Sequence, residues 1–458
     1  MKKIRLGAGS GWAPSDPLPA LELVEKGEID YLGFDQLAEL TMAILQIAKT
    51  RDHRRGYAWQ HIIDGMKLIL PPAYKKGIKI VTNGGGVNCE EAANQVLSIA
   101  RENRLTDIKV GIVRGDDILD KLDDCRKKGW RFENLDTGEE DINGIRARIV
   151  SAHAYIGADG IIGALGEGAD VVITGRVSDN ALFVAPIMYE LGWKFEEPCW
   201  DLVGAAVTVG HIVECASWCC GQSSVLWQEV PKPWAVGNPI AEFYEDGTAI
   251  ITKVPGTGGM VNEWTIKEQL VYEVHDPRNY IMPDGIADMT TLKLEDLGND
   301  RVRVTNMSGK PRPDTLKVQV GYSDGYIAEN LTIIGAPKAL SKARRMEEIG
   351  WEKLKQTGLR RADLDVRIDY VGINSLLGPI VPVPDEDSIN EIGLRVAAKA
   401  KTAAEAQNII FAFSLAATGT PVGVGFSAPS RPRPVVALWP TLIPREEVPV
   451  DFVIKEVS

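Results

Sequence analysis

The segment GHIVECASWCC (residues 210–220) carries the most reactive group of side chains in the chain. In a helix, His211, Glu214 and Cys215 lie at positions i, i+3 and i+4 and share one face. A histidine beside a thiol favours the thiolate and makes it a nucleophile, while a carboxylate orients the imidazole. We predict catalytic roles for all three residues. Two alternatives stay open: a metal site, for which zinc would need a further ligand, and a packed helix without chemistry.

A glycine-rich turn follows a strand-like segment in KIVTNGGGVN (residues 79–88). A strand, a run of glycines and a helix start together present free backbone N–H groups and the helix dipole to an anion. The spacing matches neither GxGxxG nor GxxxxGK[ST], so a dinucleotide or a nucleoside triphosphate is not indicated. The alternative is that Asn88 caps the helix and the glycines only permit a tight turn. The residues that we predict to contact a ligand here are Asn83, Gly84, Gly85, Gly86 and Asn88.

An arginine stands just past a strand end in VVITGRVSDNALF (residues 171–183). Arg176 in this place suits a carboxylate or a phosphate, which a guanidinium holds with two parallel hydrogen bonds. We predict that Thr174 contacts the same ligand and that Asp179 serves as an acid–base group. The alternative is a structural Arg–Asp pair that fixes the loop.

A lysine precedes glycines in TKVPGTGG (residues 252–259), and the triplet HDP follows further along. Lys253 with Gly258 and Gly259 suits a phosphate or carboxylate, although the same residues suit an ordinary hairpin turn. Asp276 of HDP is a candidate acid–base group, unless the triplet only forms a turn. We predict that the glycine turns, Arg176 and Lys253 converge into one receptor for an anionic group.

These loops follow a regular alternation of apolar segments and helical patterns. Strands that are apolar on both faces and alternate with helices indicate a mostly parallel sheet covered on both sides, with ligands at the carboxyl ends of the strands. The histidines of RDHRRGYAWQH (residues 51–61) are assigned to a solvated helical face. The strand-like segments are residues 4–6, 29–34, 78–81, 109–113 and 170–173.

The pattern changes at VPKPWAVGNP (residues 230–239), where prolines and glycines suggest a boundary. We therefore predict an α/β fold with a doubly wound, mostly parallel sheet in residues 1–233. A mixed α+β portion in residues 234–458 ends in an extended, proline-rich tail. Within it, residues 366–374 read as a strand between helical patterns at 337–357 and 386–401.

Composition sets the class of protein. The chain has 458 residues, of which 45% are hydrophobic and 25% charged, and a net charge of −12. This charge argues against nucleic acid and anionic membrane as partners. The six cysteines form neither a CxxC motif nor a disulfide framework, and the N-terminus lacks the apolar stretch of a signal peptide. We expect a reduced, cytoplasmic protein of enzyme size, with homo-oligomerisation as a size-based expectation.

Several long motifs in one order resemble the acyclic terpene utilisation (AtuA) family, from about residue 4 to about residue 450. Cys89 departs from the family pattern, which has a residue such as proline after the glycine turn. Many members continue into a small ferredoxin-like domain, so we expect that part to be absent or separately encoded. The matching stretches are GFDQLAELTMAIL, VTNGGGVN, VVITGRVSDNALF, GHIVECA, TKVPGTGG, EQLVYEVHDPRNYIMPD and DRVRV.

The resemblance implies that the protein acts in the degradation of citronellol and geraniol. Founding members of the family are encoded beside a biotin-dependent acyl-CoA carboxylase and an enoyl-CoA hydratase-like enzyme. No cofactor is required by the sequence, and a CoA thioester enters as a candidate substrate. We expect an enzyme acting on a small carboxylate or acyl-CoA, with lyase or hydratase chemistry favoured. The alternatives are a hydrolase with Cys215 as nucleophile and a non-catalytic acyl-CoA-binding subunit of a carboxylase system.

Overall fold

The computed structural model of the chain describes residues 2–419 and 421–457. The helices are α1 (Leu18–Lys26), α2 (Thr41–Arg51), α3 (Met66–Lys75), α4 (Cys89–Glu102), α5 (Leu122–Lys127), α6 (Asp159–Gly166), α7 (Ala181–Leu191), α8 (Trp200–Glu214), α9 (Glu263–Val271), α10 (Ala339–Gln356), α11 (Ala403–Phe411) and α12 (Leu415–Thr418). The strands are β1 (Lys3–Ser10), β2 (Tyr31–Phe34), β3 (Lys79–Thr82), β4 (Lys109–Arg114), β5 (Ile149–Ala154), β6 (Val171–Ile173), β7 (Pro239–Tyr244), β8 (Ala249–Lys253), β9 (Tyr280–Met282), β10 (Gly285–Asp288), β11 (Lys293–Asp296), β12 (Val302–Thr305), β13 (Ser308–Lys310), β14 (Thr315–Gly335), β15 (Asp365–Val371), β16 (Glu391–Ala400), β17 (Val424–Pro429), β18 (Arg433–Pro444) and β19 (Asp451–Glu456).

A large mixed sheet has the strand order β11-β12-β8-β7-β1-β2-β3-β6-β4-β19. Its middle strands, β1, β2, β3, β6 and β4, pair in parallel, as the alternation of apolar segments and helices predicts. Antiparallel pairs extend it on both sides, through β7 next to β1 and β19 next to β4. The α/β class is confirmed, and the doubly wound arrangement stays a prediction. A smaller antiparallel sheet has the order β13-β10-β9.

The parallel strands direct alternate side chains to different helices. Leu32 and Ile112 belong to the core that β2 and β4 share with α1, α3 and α4. The adjacent residue in each strand is a glycine, Gly33 beside Leu32 and Gly111 beside Ile112, and another helix packs closely against it. A Cβ on Gly33 would lie 2.6 Å from the Phe183 ring of α7, and one on Gly111 would lie 2.7 Å from Ala164 of α6. Because successive side chains of a strand point to opposite faces, helices cover this part of the sheet on both sides.

The chain divides into two compact units, but not at residue 233. One unit contains the residues up to Gly321 and those from Leu438, and the other contains Tyr322–Ala437. Strands β7 and β8, which follow the predicted boundary, hydrogen-bond into the large sheet beside β1. The prolines and glycines of residues 230–239 therefore mark a crossover within one unit.

The second unit contains antiparallel pairs of β14 with β16 and of β15 with β16, together with α10 and α11. The helix predicted for residues 386–401 is wrong, because Glu391–Ala400 is strand β16. Its buried apolar residues, Ile392, Leu394 and Val396, recur at every second position, which is the period of a strand. The alanines at positions 397, 398 and 400, a residue type that favours helices, obscured that period in the sequence.

Candidate functional site

The carboxyl ends of β2, β3 and β6 bring polar side chains together, as predicted for a parallel sheet. Asn83, which follows β3, donates from Nδ2 to Oδ1 of Asp35 at 2.6 Å and accepts from the backbone N–H of Gln36 at 2.7 Å. Burial and the charge of Asp179 raise the pKa of Asp35, which Arg176 and Asn83 oppose. Asp35 follows β2, and Arg176 and Asp179 follow β6, so three strand ends form one buried polar cluster.

The guanidinium of Arg176 already donates its hydrogen bonds to acceptors within the protein. Arg176 is 1% exposed, and its guanidinium donates to the carbonyl oxygens of Leu37 and Val177 and to the carboxylate of Asp179. The guanidinium also lies over the ring of Tyr155, 4.6 Å from its centroid. Thr174 is likewise committed, with its hydroxyl donating to the Gly175 carbonyl at 3.0 Å. The structure therefore has the Arg–Asp pair that fixes the loop, in place of the predicted clamp for an anion.

The three glycines of the first turn pack against protein atoms. The backbone N–H of Gly84 donates to Oγ1 of Thr82, and that of Gly86 donates to the Asn83 carbonyl. A Cβ on Gly85 would lie 2.7 Å from each of three atoms, among them the Thr174 carbonyl oxygen. Asn88 stands at the start of α4, but its amide donates to the carbonyls of residues 53 and 55. Close packing explains the glycines, so the predicted anion cradle is not observed.

Lys253 lies too far along the sheet to share a ligand with Arg176. Five strand spacings of about 4.8 Å separate β8 from β6, or about 24 Å. Its ammonium is 3.1 Å from the Asp300 carboxylate and donates to the Thr257 carbonyl. The N–H groups of Gly258 and Gly259 donate to the carbonyls of residues 235 and 231. This loop is a structural turn, and the expected convergence of Gly85, Arg176 and Lys253 does not occur.

Helix α8 does bring His211 and Glu214 together. Nδ1 of His211 lies 2.9 Å from Oε1 of Glu214 and 3.1 Å from the Tyr280 hydroxyl. Nε2 of His211 is 2.9 Å from the Gln269 carbonyl oxygen, which only accepts, so Nε2 carries a proton. Nδ1 is therefore the nitrogen that exchanges a proton with Glu214 or accepts one from Tyr280. His211 is 0% exposed, whereas its neighbours Glu214 and Tyr280 line a cavity.

The environment of this pair shifts both pKa values upwards. Burial raises the pKa of Glu214 to about 7, which the charge of His211 opposes. For His211, burial alone lowers the pKa, but the charge and hydrogen bond of Glu214 and the bond to Gln269 outweigh it and raise the pKa. A carboxyl group that titrates near neutral pH suits general acid–base catalysis.

Cys215 directly follows α8 beside this pair, but its thiol is poorly suited to nucleophilic attack. Burial and the negative charge of Glu214 raise its pKa above the ordinary value. A nucleophilic cysteine needs the opposite shift. The histidine also bonds to Glu214, Tyr280 and Gln269 rather than to the thiol. The predicted His–Cys interaction is therefore not observed.

A cavity of about 980 Å³ adjoins Glu214. Asp179 and Asp276 also line it, so it collects three of the predicted catalytic residues. Asp276 is exposed, and bonds from Asn279 and the Arg278 N–H lower its pKa, so it stays ionised and suits proton transfer poorly. The described lining comprises Glu39, Tyr155, Ser178, Asp179, Glu214, Glu273, His275, Asp276, Asn279, Tyr280, Ile281, Met282, Pro283, Pro313, Thr315, Leu316, Lys317 and Leu442.

Buried polar atoms without a partner concentrate around this cavity. The hydroxyls of Tyr155 and Ser178, which line it, have no hydrogen-bond partner among the described residues. The same holds for both amide atoms of Asn180, which lies between Asp179 and the first residue of α7. Unsatisfied buried polar groups are costly and therefore rare, so their concentration marks this loop as a candidate functional site.

Several of these residues were missed in the sequence. Tyr155 follows β5 and Lys317 lies on β14, and neither stands in a motif. His153 of β5, whose Nδ1 is 3.0 Å from the Asp116 carboxylate, was also missed. The segment SAHAY, with a histidine in an apolar strand, was the available signal. Within residues 2–419 and 421–457, no group of three or more His, Cys, Asp or Glu residues is arranged to hold a metal ion.

In the described part of the chain, every helix is too short or too polar to cross a bilayer. Comparison with known families gives one extensive match, to a family described as "Acyclic terpene utilisation family protein AtuA", over residues 4–454. No curated protein and no solved structure matches the chain.

Proposed function

The chain belongs to the acyclic terpene utilisation (AtuA) family, and on this basis we propose that it is an enzyme acting on an acyl derivative of an acyclic terpene or branched acid, by lyase or hydratase chemistry. The observation that supports the proposal is the place of Glu214. This carboxyl, with a pKa near 7, lines a cavity together with the unpartnered hydroxyls of Tyr155 and Ser178.

Each group has a role in the addition of water to a double bond next to a carbonyl. The Glu214 carboxylate accepts a proton from water while the water oxygen bonds to the β-carbon. The electron pair of the double bond moves to the carbonyl oxygen, where the Tyr155 and Ser178 hydroxyls donate hydrogen bonds to the developing charge. Proton transfer from Glu214 to the α-carbon completes the addition. His211 contacts the carboxyl and lowers its pKa, and the Tyr280 hydroxyl contacts His211, so both are positioning residues.

The charges that line the cavity favour an uncharged acyl group over a free carboxylate. Among the described lining residues, carboxyl groups outnumber the single ammonium of Lys317. A free carboxylate would meet net repulsion, whereas a thioester carbonyl brings no charge to the reacting end. We therefore propose an acyl thioester as the substrate class. The carboxylates concerned are Glu39, Asp179, Glu214, Glu273 and Asp276.

A panel of α,β-unsaturated acyl thioesters and the matching free acids tests the proposal. Hydration removes the conjugated double bond and its ultraviolet absorbance, while hydrolysis releases a free thiol that a thiol reagent detects. We expect Glu214→Gln to lower the hydration rate at least about a hundredfold. The matched control is Asp276→Asn, an exposed carboxyl at the same cavity, which we expect to keep the rate within about twofold of wild type.

Three outcomes would contradict the proposal. One is a Glu214→Gln variant with the wild-type hydration rate. Another is release of free thiol without hydration, abolished in Cys215→Ser, which would establish the hydrolase instead. The third is tight binding of thioesters without turnover, which would establish a binding subunit.

A further inference from the structure

A second cavity, of about 440 Å³, lies at the carboxyl ends of β1 and β2. In the described part of the chain it shares no lining residue with the cavity beside Glu214. Its walls are mostly apolar: Phe34 and Ile69 are fully buried, Leu45 projects from α2, and Trp59 stands at the rim with 43% of its surface exposed. Ligand pockets in proteins commonly combine such walls with a few polar groups.

The helical turn Gln60–Gly65, directly before α3, has π geometry. Gln60, His61, Asp64 and Gly65 of this turn line the cavity. Such turns are rare and occur frequently at functional sites. The turn also directs His61 inwards, to a ring contact with Phe34 and to 3.1 Å from Oγ1 of Thr82. His61 is buried, so its predicted place on a solvated face is wrong.

The polar groups inside this cavity are uncharged. Burial lowers the pKa of His61 to about 3, so its imidazole is neutral at physiological pH. Tyr57 is buried, and its hydroxyl has no hydrogen-bond partner among the described residues. The charged residues of the described lining, Arg55 and Asp64, are exposed and opposite in sign, and the Arg55 guanidinium lies 4.0 Å from the centroid of the Trp59 ring.

We propose that this cavity binds an uncharged, mainly hydrocarbon molecule that carries one hydrogen-bond-accepting oxygen, to which the Tyr57 hydroxyl donates. An ion inside the cavity would lose its hydration without gaining a charged partner. A molecule without an acceptor would leave the Tyr57 hydroxyl unsatisfied. The inference does not depend on the proposed function, because it concerns a separate cavity.

Calorimetric titration of the full-length chain with 2-octanone and with octanoate tests the proposal. The two probes share an apolar chain but differ in the charge of the oxygen-bearing end. We expect 2-octanone to bind and octanoate to bind at least about tenfold more weakly. We expect Tyr57→Phe to weaken binding of 2-octanone about tenfold. The matched control is Tyr244→Phe, which removes a hydroxyl from a β7 residue that lines neither of the two cavities and should leave the affinity unchanged.

A second variant fills the cavity from the π-helical turn. A Cβ on Gly65 would meet the His61 ring nitrogen Nδ1 at 3.5 Å and the Gln60 carbonyl oxygen at 3.8 Å, which are ordinary contacts. Gly65→Leu should therefore fold and abolish binding, while Gly166→Leu, on the exposed end of α6, should bind like wild type. The proposal is overturned if 2-octanone does not bind, if octanoate binds equally well, or if either Tyr57→Phe or Gly65→Leu retains wild-type affinity.

Discussion

Oε1 of Glu214 lies 2.9 Å from Nδ1 of His211, one helical turn earlier on α8. The charge of His211 lowers the pKa of Glu214 from the higher value that burial alone would give. In the hydration direction Glu214 acts as a base, so kcat/KM should rise with pH up to about 7 and then level off. His211→Gln removes the cation and should move this limb to higher pH. The dependence of kcat/KM on pH, measured for wild type and variant, checks both expectations. If the rise in kcat/KM occurs at the same pH in the variant, His211 does not influence the pKa of Glu214.

The buried carboxyl of Asp284 should make stability depend on pH. Burial raises its pKa from 3.8 to about 6, so the folded state holds the proton more tightly than the unfolded state. The corresponding stabilisation is complete below about pH 4 and is lost as pH rises through about 6, by about 3 kcal/mol in total. Because Asp284→Asn cannot ionise, its free energy of unfolding should rise relative to wild type over this range. Denaturant unfolding at several pH values measures the difference.

Asp288 provides a control of opposite sign for that experiment. Bonds from the hydroxyl and N–H of Thr290 lower its pKa, so its stabilisation is present at neutral pH and is lost as pH falls. Asp288→Asn should therefore lose stability relative to wild type as pH rises. A pH-independent difference for Asp284→Asn would contradict the assignment of a raised pKa.

Substitutions in the glycine turn after β3 should lower the stability of the fold, as expected for a turn with a structural role. A Cβ on Gly85 would lie 2.7 Å from Cys89 Sγ, the Ile173 side chain and the Thr174 carbonyl oxygen. Gly85→Ala should therefore lower the free energy of unfolding by about 1–3 kcal/mol. Gly166→Ala, at a helical position with no atom within 4 Å among the described residues, should be neutral or stabilising. A Gly85→Ala variant that keeps wild-type stability but binds ligand more weakly would instead support the predicted contact between the glycine turn and a ligand.

Arg176 should matter for folding more than for binding. Arg176→Met leaves Asp35 and Asp179 without their buried cation, so we expect a loss of about 3 kcal/mol in denaturant unfolding. Arg303→Met, which breaks an exposed ion pair with Glu295, should cost less than about 1 kcal/mol. The anion clamp would be supported instead by an Arg176→Met variant that keeps wild-type stability and loses affinity for a carboxylate.

The positions of strand ends were predictable, and the partners of their side chains were not. Apolar segments before Asn83 and Arg176 indicated parallel strands, and these residues do meet at one edge of the sheet. A glycine that admits a neighbouring backbone, however, has the same appearance in a sequence as one that admits a ligand. Gly85 makes room for Thr174, a contact between segments far apart in the chain.

Residue spacing within one helix predicted side-chain contacts better than the positions of the strand ends did. His211 and Glu214 are three residues apart, so the helix alone brings them together, and this contact was predicted. Tyr280 and Tyr155 reach the same cavity from β9 and from the end of β5, through tertiary packing that no local pattern records. The helical spacing of Cys215 was also suggestive, but burial beside a carboxylate determines the state of the thiol.

The pairing of β4 with β19 at one edge of the large sheet has a consequence for folding during translation. β4 lies between β6 and β19, and β19 (Asp451–Glu456) is synthesised long after β4 (Lys109–Arg114). Throughout translation of the intervening residues, the backbone N–H and C=O groups of β4 on that side remain unpaired, and such an edge invites association with other strands. Completion of this sheet therefore waits for a late segment of the chain, and nascent chains that still lack β19 are the forms most exposed to misassembly.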